Sequence, residues 1–327
     1  MTIFPEAYNI PKNPDKFGPV RYLWGKNDGR FPYDNAIFID DEIKVIIDPG
    51  SNPKTLKKIN SSNKIDYVFN SHYHYDHIRF NYIFPDSKIM MHERDAVLFG
   101  SLDKIAQAIG LGYLYDQEAV EQWKSQLKGG PAYFRGMYDV AYGNEWVKST
   151  ERVDGIIKDG AVFGFGECTM EVIHTPGHSL GMCCFVFPQQ SAAYVTDYDL
   201  TPFGPWYGSL HCDLDALIHS AGKLKNLQDI DWFITSHEMG VFNRSDFLAG
   251  LDKFMAIIDE RDEKIIEVLK TGPIPLTDLV KRSIVYHARH VEDKFTYLWE
   301  WLHLERHLER LIKAGRIEED GGEYRVL

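Results

Sequence analysis

Cysteine is scarce in this chain. The four thiols of 327 residues (Cys168, Cys183, Cys184 and Cys212) show no CxxC spacing, which argues against a disulfide framework and for buried thiols. Nowhere do about eighteen apolar residues run together, so no membrane-spanning helix is expected. The first residues, MTIFPEAYNIPKNPDKFG, lack a basic stretch followed by an apolar run, and a cytoplasmic protein is the expectation. No block of Lys and Arg stands out against a formal charge of -12. The overall field therefore repels polyanions, and nucleic acid is a disfavoured partner. A GxSxG or reactive-cysteine motif is missing, as are internal repeats and low-complexity tracts. Catalysis through a side-chain nucleophile has no candidate.

The composition is that of a packed globular protein: 44% hydrophobic residues, with 18 Tyr, 19 Phe and 7 Trp. A chain of this length accommodates one large domain with an appendage, or two domains of ordinary size. In the segment NAIFIDDEIKVIIDPGS, two β-rich runs flank Asp40-Asp41, as in a hairpin. A helical piece over 53–59 and an apolar strand over 65–69 follow, the strand ending at Asn70-Ser71. Further strand-like segments fall at 88–91, 170–174, 183–187, 192–196 and 232–236. Strands and helices mixed in this way predict two packed sheets with helices outside, or another α/β layering. Residues 93–150 read as a helical, aromatic-rich insertion carrying Tyr113, Tyr115, Trp123, Tyr133, Phe134, Tyr138 and Trp146. From 251 the pattern changes to long amphipathic helices, a stop at Ala314-Gly315 and a hairpin turning at Asp320-Gly-Gly. The expected division is therefore a catalytic domain over 1–250 and a small C-terminal domain over 251–327.

Immediately after the 65–69 strand comes His72-Tyr-His74-Tyr-Asp76-His77: four ligand-type residues in six positions, in a chain with only 13 His. Imidazole and carboxylate donors alternating on a short loop can converge on a borderline divalent metal such as zinc. A pair of metals needs more donors, expected at the ends of later strands. His178 lies in Thr175-Pro-Gly-His178-Ser, Asp197 follows the 192–196 strand, and His237 follows Ser236. His92, His174 and His211 are expected in the core or on the surface, with His211 close enough to Asp197 in sequence to reach the site.

HxHxDH after a strand, then TPGHS, a strand-terminal Asp and a strand-terminal SH, in this order, resembles the metallo-β-lactamase superfamily over about residues 20–240. The resemblance implies an α/β fold, a four-layer αββα sandwich with the metals at one edge. It assigns His72, His74 and His178 to a first metal and Asp76, His77 and His237 to a second, with Asp197 bridging. Asp48, in Asp48-Pro-Gly50, matches an outer carboxylate that orients a ligand. The true β-lactam hydrolases place a cysteine among the second-metal ligands, and the redox-active di-iron relatives carry a glutamate where His74 stands. Neither activity is expected here. His237 is followed by Glu238, where many relatives have Pro or Gly.

The implied chemistry is hydrolysis by a metal-bridging hydroxide, with Asp76 and Asp197 as the catalytic carboxylates; zinc comes first, and iron or manganese suit the same donors. The expected substrate is a small molecule with an ester-like bond, a thioester or lactone. A phosphodiester or RNA is the alternative, and a non-catalytic metal-bound binding module is a third reading. The loop after Asp197, with Phe203, Trp206 and Tyr207, is the expected pocket lining. Helix 295–312 and the hairpin after it look like a winged helix, similar to the C-terminal domain of the LACTB-type subgroup, which includes an endoribonuclease and glyoxalase-like hydrolases. With 13 Lys/Arg against 16 Asp/Glu over 251–327, that region lacks a basic footprint. Packing or homo-oligomerisation is its expected task.

Overall fold

The computed structural model describes residues 14–130, 144–238, 240–287 and 293–327. Short β-rich runs build two sheets. The first holds, in spatial as in chain order, β1 (Lys16–Phe17), β2 (Val20–Leu23), β3 (Ala36–Ile39), β4 (Val45–Ile47), β5 (Tyr67–Phe69), β6 (Lys88–His92) and β7 (Gly155–Ile157). Its first four strands pair antiparallel, the hairpin at Asp40-Asp41 included, and β4 to β7 are parallel. The second sheet runs from β8 (Val162–Gly164) through β9 (Thr169–His174), β10 (Cys183–Phe187), β11 (Ala192–Thr196) and β12 (Trp232–Thr235) to β13 (Val241–Asn243). Of its pairings only β11 with β12 is parallel.

Strand alternation decides which side chain faces which layer. In β10, Cys183, Phe185 and Phe187 enter the core between the sheets, while Cys184 and Val186 enter a second core outside it. That outer core is covered by α8 (Leu214–Lys225) and α9 (Arg244–Leu269). On the outer face of the first sheet, Phe38, Ile46, Val68 and Ile89 pack with Leu56 of α1 (Pro53–Ser62). The result is the four-layer αββα sandwich. All four cysteines are buried and unbonded to one another.

The insertion supplies α3 (Glu93–Ala96), α4 (Leu102–Ile109), α5 (Leu111–Leu114), α6 (Gln117–Leu127) and α7 (Asn144–Ser149), after the one-turn α2 (Tyr75–Ile78). Tyr133, Phe134 and Tyr138 lie outside the described residues. At the C-terminal end come α10 (Leu276–Val280), α11 (Lys294–Lys313) and a three-stranded sheet of β14 (Ile274–Pro275), β15 (Ile317–Asp320) and β16 (Glu323–Val326), with β16 in the middle. Position 250 falls inside the continuous α9. Its first half packs on the second sheet through Phe247, Leu251, Phe254 and Ile258, and its last turns enter the C-terminal core through Ile265, Ile266 and Leu269. Leu298 and Leu302 of α11 share a core with the insertion helices. No described helix is long and apolar enough to cross a membrane.

Candidate metal centre

Four site segments leave the C-terminal ends of two parallel strand pairs. Asp48 follows β4, the histidine loop follows β5, Asp197 follows β11 and Ser236-His237 follows β12. His178 joins them from the β9–β10 turn. Main-chain bonds hold the segments together: Asp48 N–H to the Phe69 carbonyl (2.9 Å), Cys183 N–H to the Ser71 carbonyl (3.0 Å) and Ser236 N–H to the Thr196 carbonyl (3.0 Å). Tight approach requires glycine at two places. A Cβ on Gly50 would stand 1.3 Å from the Asp76 carbonyl oxygen, and one on Gly177 would stand 2.3 Å from the Leu217 Cα. Left-handed backbone at Asp48 (φ 50°), Thr196 (φ 50°) and Glu238 (φ 50°) brackets the site. Such backbone costs non-glycine residues on the order of 1 kcal/mol or more, and it clusters where function over-determines geometry.

Two donor groups face each other across Asp197. In one, His72 Nε2 lies 3.0 Å from His74 Nδ1, which lies 2.7 Å from His178 Nε2; Asp197 Oδ2 is 2.9 Å from His178 Nε2. In the other, Asp197 Oδ1 is 3.0 Å from His77 Nε2, and His237 Nε2 is 3.4 Å from Asp76 Oδ2. The structure thus gathers His72, His74, His178 and Asp197 as one set able to hold a metal ion and Asp76, His77 and His237 as another.

The far sides of His178 and His237 meet main-chain carbonyls. His178 Nδ1 donates to the Trp206 carbonyl (2.9 Å) and His237 Nδ1 to the Gly29 carbonyl (2.6 Å). A carbonyl accepts only from N–H, so in the neutral ring each Nε2 turns a lone pair inward. Asp48 Oδ2 accepts from His77 Nδ1 (3.0 Å), the Ser71 hydroxyl (2.6 Å) and the Tyr194 hydroxyl (3.1 Å), and Ser71 Oγ meets His72 Nδ1 at 2.9 Å. Converging lone pairs repel unless a cation lies among them, and an all-nitrogen-and-oxygen donor set suits a borderline divalent ion. The residues present therefore fit two such ions.

Electrostatics treat the two donor groups differently. Burial first, then neighbouring imidazoles, holds His72 and His74 well below the usual histidine range, so both are neutral donors. Burial also lowers His77, but Asp197, Asp76 and Asp48 outweigh it and raise its pKa. Burial would raise Asp197, yet His77, His178 and His72 keep its carboxyl well below the ordinary value.

Other carboxylates complete the centre. Asp34 is fully buried, with Oδ2 3.5 Å from His77 Nδ1 and neither oxygen hydrogen-bonded among the described residues. Burial pushes its pKa well up, and Asp48 and Asp76 add to the rise. Asp95 accepts from Tyr73 N–H (3.0 Å), the Ser179 hydroxyl (2.7 Å), Gly181 N–H (2.8 Å) and His211 Nε2 (3.0 Å), joining the histidine loop to the segment after His178. Neither stands in a motif. A lone aspartate whose partners lie tens of residues away leaves no local signal. His211 thus borders the centre through Asp95, whereas His92 and His174 stack on each other 4.1 Å apart, away from it.

A cavity of about 650 Å³ opens over the centre, its floor including His74, Asp76, His178, Asp197 and His237. Phe203 and Trp206 line it as expected. Tyr207 does not: it is fully buried behind the loop, with its hydroxyl 2.8 Å from both His307 Nε2 and the Arg261 guanidinium. A buried phenol needs polar partners, and α9 and α11 supply them. Tyr286, Phe295 and Trp299, from the region expected to serve packing or oligomerisation, form part of the cavity wall.

Comparison with known proteins comes to the same fold. Residues 30–237 match the family model described as the metallo-beta-lactamase superfamily. Hydroxyacylglutathione hydrolase of Bartonella henselae is 30% identical over 114 residues, covering 35% of this chain and 44% of that protein. The enzyme of the same name from Maricaulis maris is 30% identical over 117 residues, covering 31% and 44%. The chain thus spans less than half the length of the curated relatives it matches. A metallo-beta-lactamase family protein of Thermus thermophilus superposes with a TM-score of 0.64 at 16% identity, over 94% of this chain and 99% of that one. A beta-lactamase domain protein of Burkholderia ambifaria does so with 0.67 at 17% identity, over 94% and 92%.

Proposed function

The chain belongs to the metallo-β-lactamase superfamily, and on that premise we propose that it is a hydrolase working with two divalent metal ions on a small ester-like bond, a thioester or lactone. The observation that carries the reading is Asp197, whose two oxygens face two separate sets of inward-turned imidazoles. His72, His74, His178 and Asp197 would hold one ion, and Asp76, His77, His237 and Asp197 the other. When bound, such ions supply a water of lowered pKa and polarise the acyl oxygen.

The chain's own groups do the rest. Asp48, Ser71, Gly29 and the Trp206 carbonyl hold the imidazoles in one tautomer and orientation. The aromatic wall lowers the polarity beside the cavity floor. Asp76, on the cavity floor, would accept a proton from the attacking water and pass it to the leaving atom. In the reaction, water oxygen bonds to the acyl carbon, the C–S or C–O bond breaks, and the leaving sulfur or oxygen gains a proton. The hydroxyacylglutathione hydrolase relatives, matched over about a third of the chain, support an acyl substrate.

The same reading divides the protein into a catalytic domain over 1–250 and a C-terminal winged-helix-like domain over 251–327, in a cytoplasmic protein. The test is metal quantification coupled to turnover of thioesters, lactones and bis-aryl phosphodiesters. About two ions per chain with acyl turnover is the expected result. Phosphodiester turnover alone, or full activity in metal-free protein, would overturn it.

A further inference from the structure

A single carboxylate fixes residues 284–286. Ser283 stands in left-handed backbone (φ 55°) just beyond α10, and its N–H donates to the Val280 carbonyl (3.1 Å), so the chain turns back toward α11. The next three N–H groups face Glu300 of that helix. Ile284 N–H donates to Glu300 Oε1 (2.7 Å), Tyr286 N–H donates to Oε2 (2.8 Å), and Val285 N–H is shared between the two oxygens (3.1 and 3.2 Å). Successive N–H groups arranged in this way form an anion-binding concavity. Glu300 is fully buried, and a carboxylate withdrawn from water is costly unless such donors answer it.

What this carboxylate holds is a wall of the cavity. Val285, Tyr286 and His287 line it, and Trp299, the residue before Glu300, lines it from α11. Tyr286 carries the hold further. Its hydroxyl accepts from the Trp206 indole N–H (2.7 Å), and the Trp206 carbonyl accepts from His178 Nδ1 (2.9 Å). Phe203, from the same loop as Trp206, lies 5.3 Å from the Tyr286 ring. The C-terminal region and the loop after Asp197 therefore meet at a residue whose main chain is set by Glu300. Glu300 itself, fully buried, does not line the cavity, so it acts through Val285 and Tyr286.

Resting on the hydrolase reading above, we propose that Glu300 is a positioning residue for substrate binding, which fixes Val285 and Tyr286 as the wall against which the substrate is held over the metal centre. Removing one of its acceptor oxygens frees that wall without touching a donor of the metal centre. The loss then falls on KM, because contacts made equally in the ground and transition states change binding and leave the chemical step alone.

The experiment uses the full chain loaded with metal, and 4-nitrophenyl butyrate, butyryl-glutathione and γ-octanolactone as acyl probes. In Glu300→Gln the amide keeps the size of the side chain but turns an NH2 toward one of the main-chain N–H groups. KM is expected to rise about tenfold while kcat stays within about twofold and metal content is unchanged. Glu300→Asp, which keeps the carboxylate, gives a smaller rise. Tyr286→Phe raises KM about threefold, and combining it with Glu300→Gln raises KM no further than Glu300→Gln alone, as expected of two residues acting in series. Amide hydrogen exchange by mass spectrometry is independent of turnover: exchange over 284–286 is faster in Glu300→Gln and unchanged over β10 and β11. An unmoved KM in Glu300→Gln, with or without a fall in kcat or metal content, overturns the proposal and leaves the hydrolase reading intact. Should that variant fail to fold, an unmoved KM in Tyr286→Phe does the same. If wild-type protein hydrolyses none of the three probes, the hydrolase reading falls instead. Glu300 as the anchor of the wall is then decided by exchange, where an unchanged rate over 284–286 in Glu300→Gln sinks it.

Discussion

Asp48 turns the histidine loop into an oriented donor set. Its carboxylate accepts from Ser71 N–H (2.7 Å), the Ser71 and Tyr194 hydroxyls and His77 Nδ1. In Asp48→Asn, one acceptor becomes an NH2 group facing donors, which releases His77 and, through Ser71, His72. The expected loss is roughly 10- to 100-fold in metal affinity, read by competition with a chromogenic chelator. Unchanged affinity would reduce Asp48 to a turn residue. At this scale the sequence was legible where donors cluster: His72, His74, Asp76 and His77 adjoin in one loop. It was silent on Asp34 and Asp95, since an isolated carboxylate acquires meaning only from neighbours such as His77 and His211.

Among the elements, α9 and α11 reach the metal centre through the loop at 203–207. Arg261, 3% exposed, donates to the Phe203 carbonyl (2.6 Å), the Pro205 carbonyl (2.9 Å) and the Tyr207 hydroxyl (2.8 Å). Tyr207 N–H in turn donates to His303 Nε2 (3.2 Å), and His307 Nδ1 donates to Asp262 (2.6 Å). The Trp206 carbonyl between these anchors holds His178. Arg261→Met leaves several buried acceptors unpaired and is expected to cost about 2–4 kcal/mol in urea denaturation. Metal content should fall with it, because the carbonyl that orients His178 is no longer held. A variant of normal stability and full metal content would show the network to be incidental. Helix 295–312 was readable from its apolar spacing. Its contact with the 203–207 loop was not, because periodicity identifies a buried face without naming what covers it.

For the molecule as a whole, the two donor sets draw on separate segments spread from His72 to His237, so an ion bound across them binds the folded state alone. Each ion at about a thousandfold excess over its Kd stabilises that state by about 4 kcal/mol. Chelation is therefore expected to lower the melting temperature by several degrees or more in differential scanning fluorimetry, with recovery on adding zinc. A melting temperature indifferent to chelator and metal would contradict a centre of this kind.

Strand alternation, the hairpin at Asp40-Asp41 and the order of HxHxDH, TPGHS, Asp197 and His237 were determined by the sequence itself. Strand and ligand signals are local: side-chain period, turn chemistry and donor type are written within a few residues. The tertiary structure alone decided that Tyr207 faces away from the cavity, that Asp34 and Asp95 support the donors, and that Trp146, Trp206 and Trp299 meet around one space. Those outcomes depend on contacts between residues far apart in the chain. They come from packing of cores and pairing of buried polar groups, which no short stretch of sequence records.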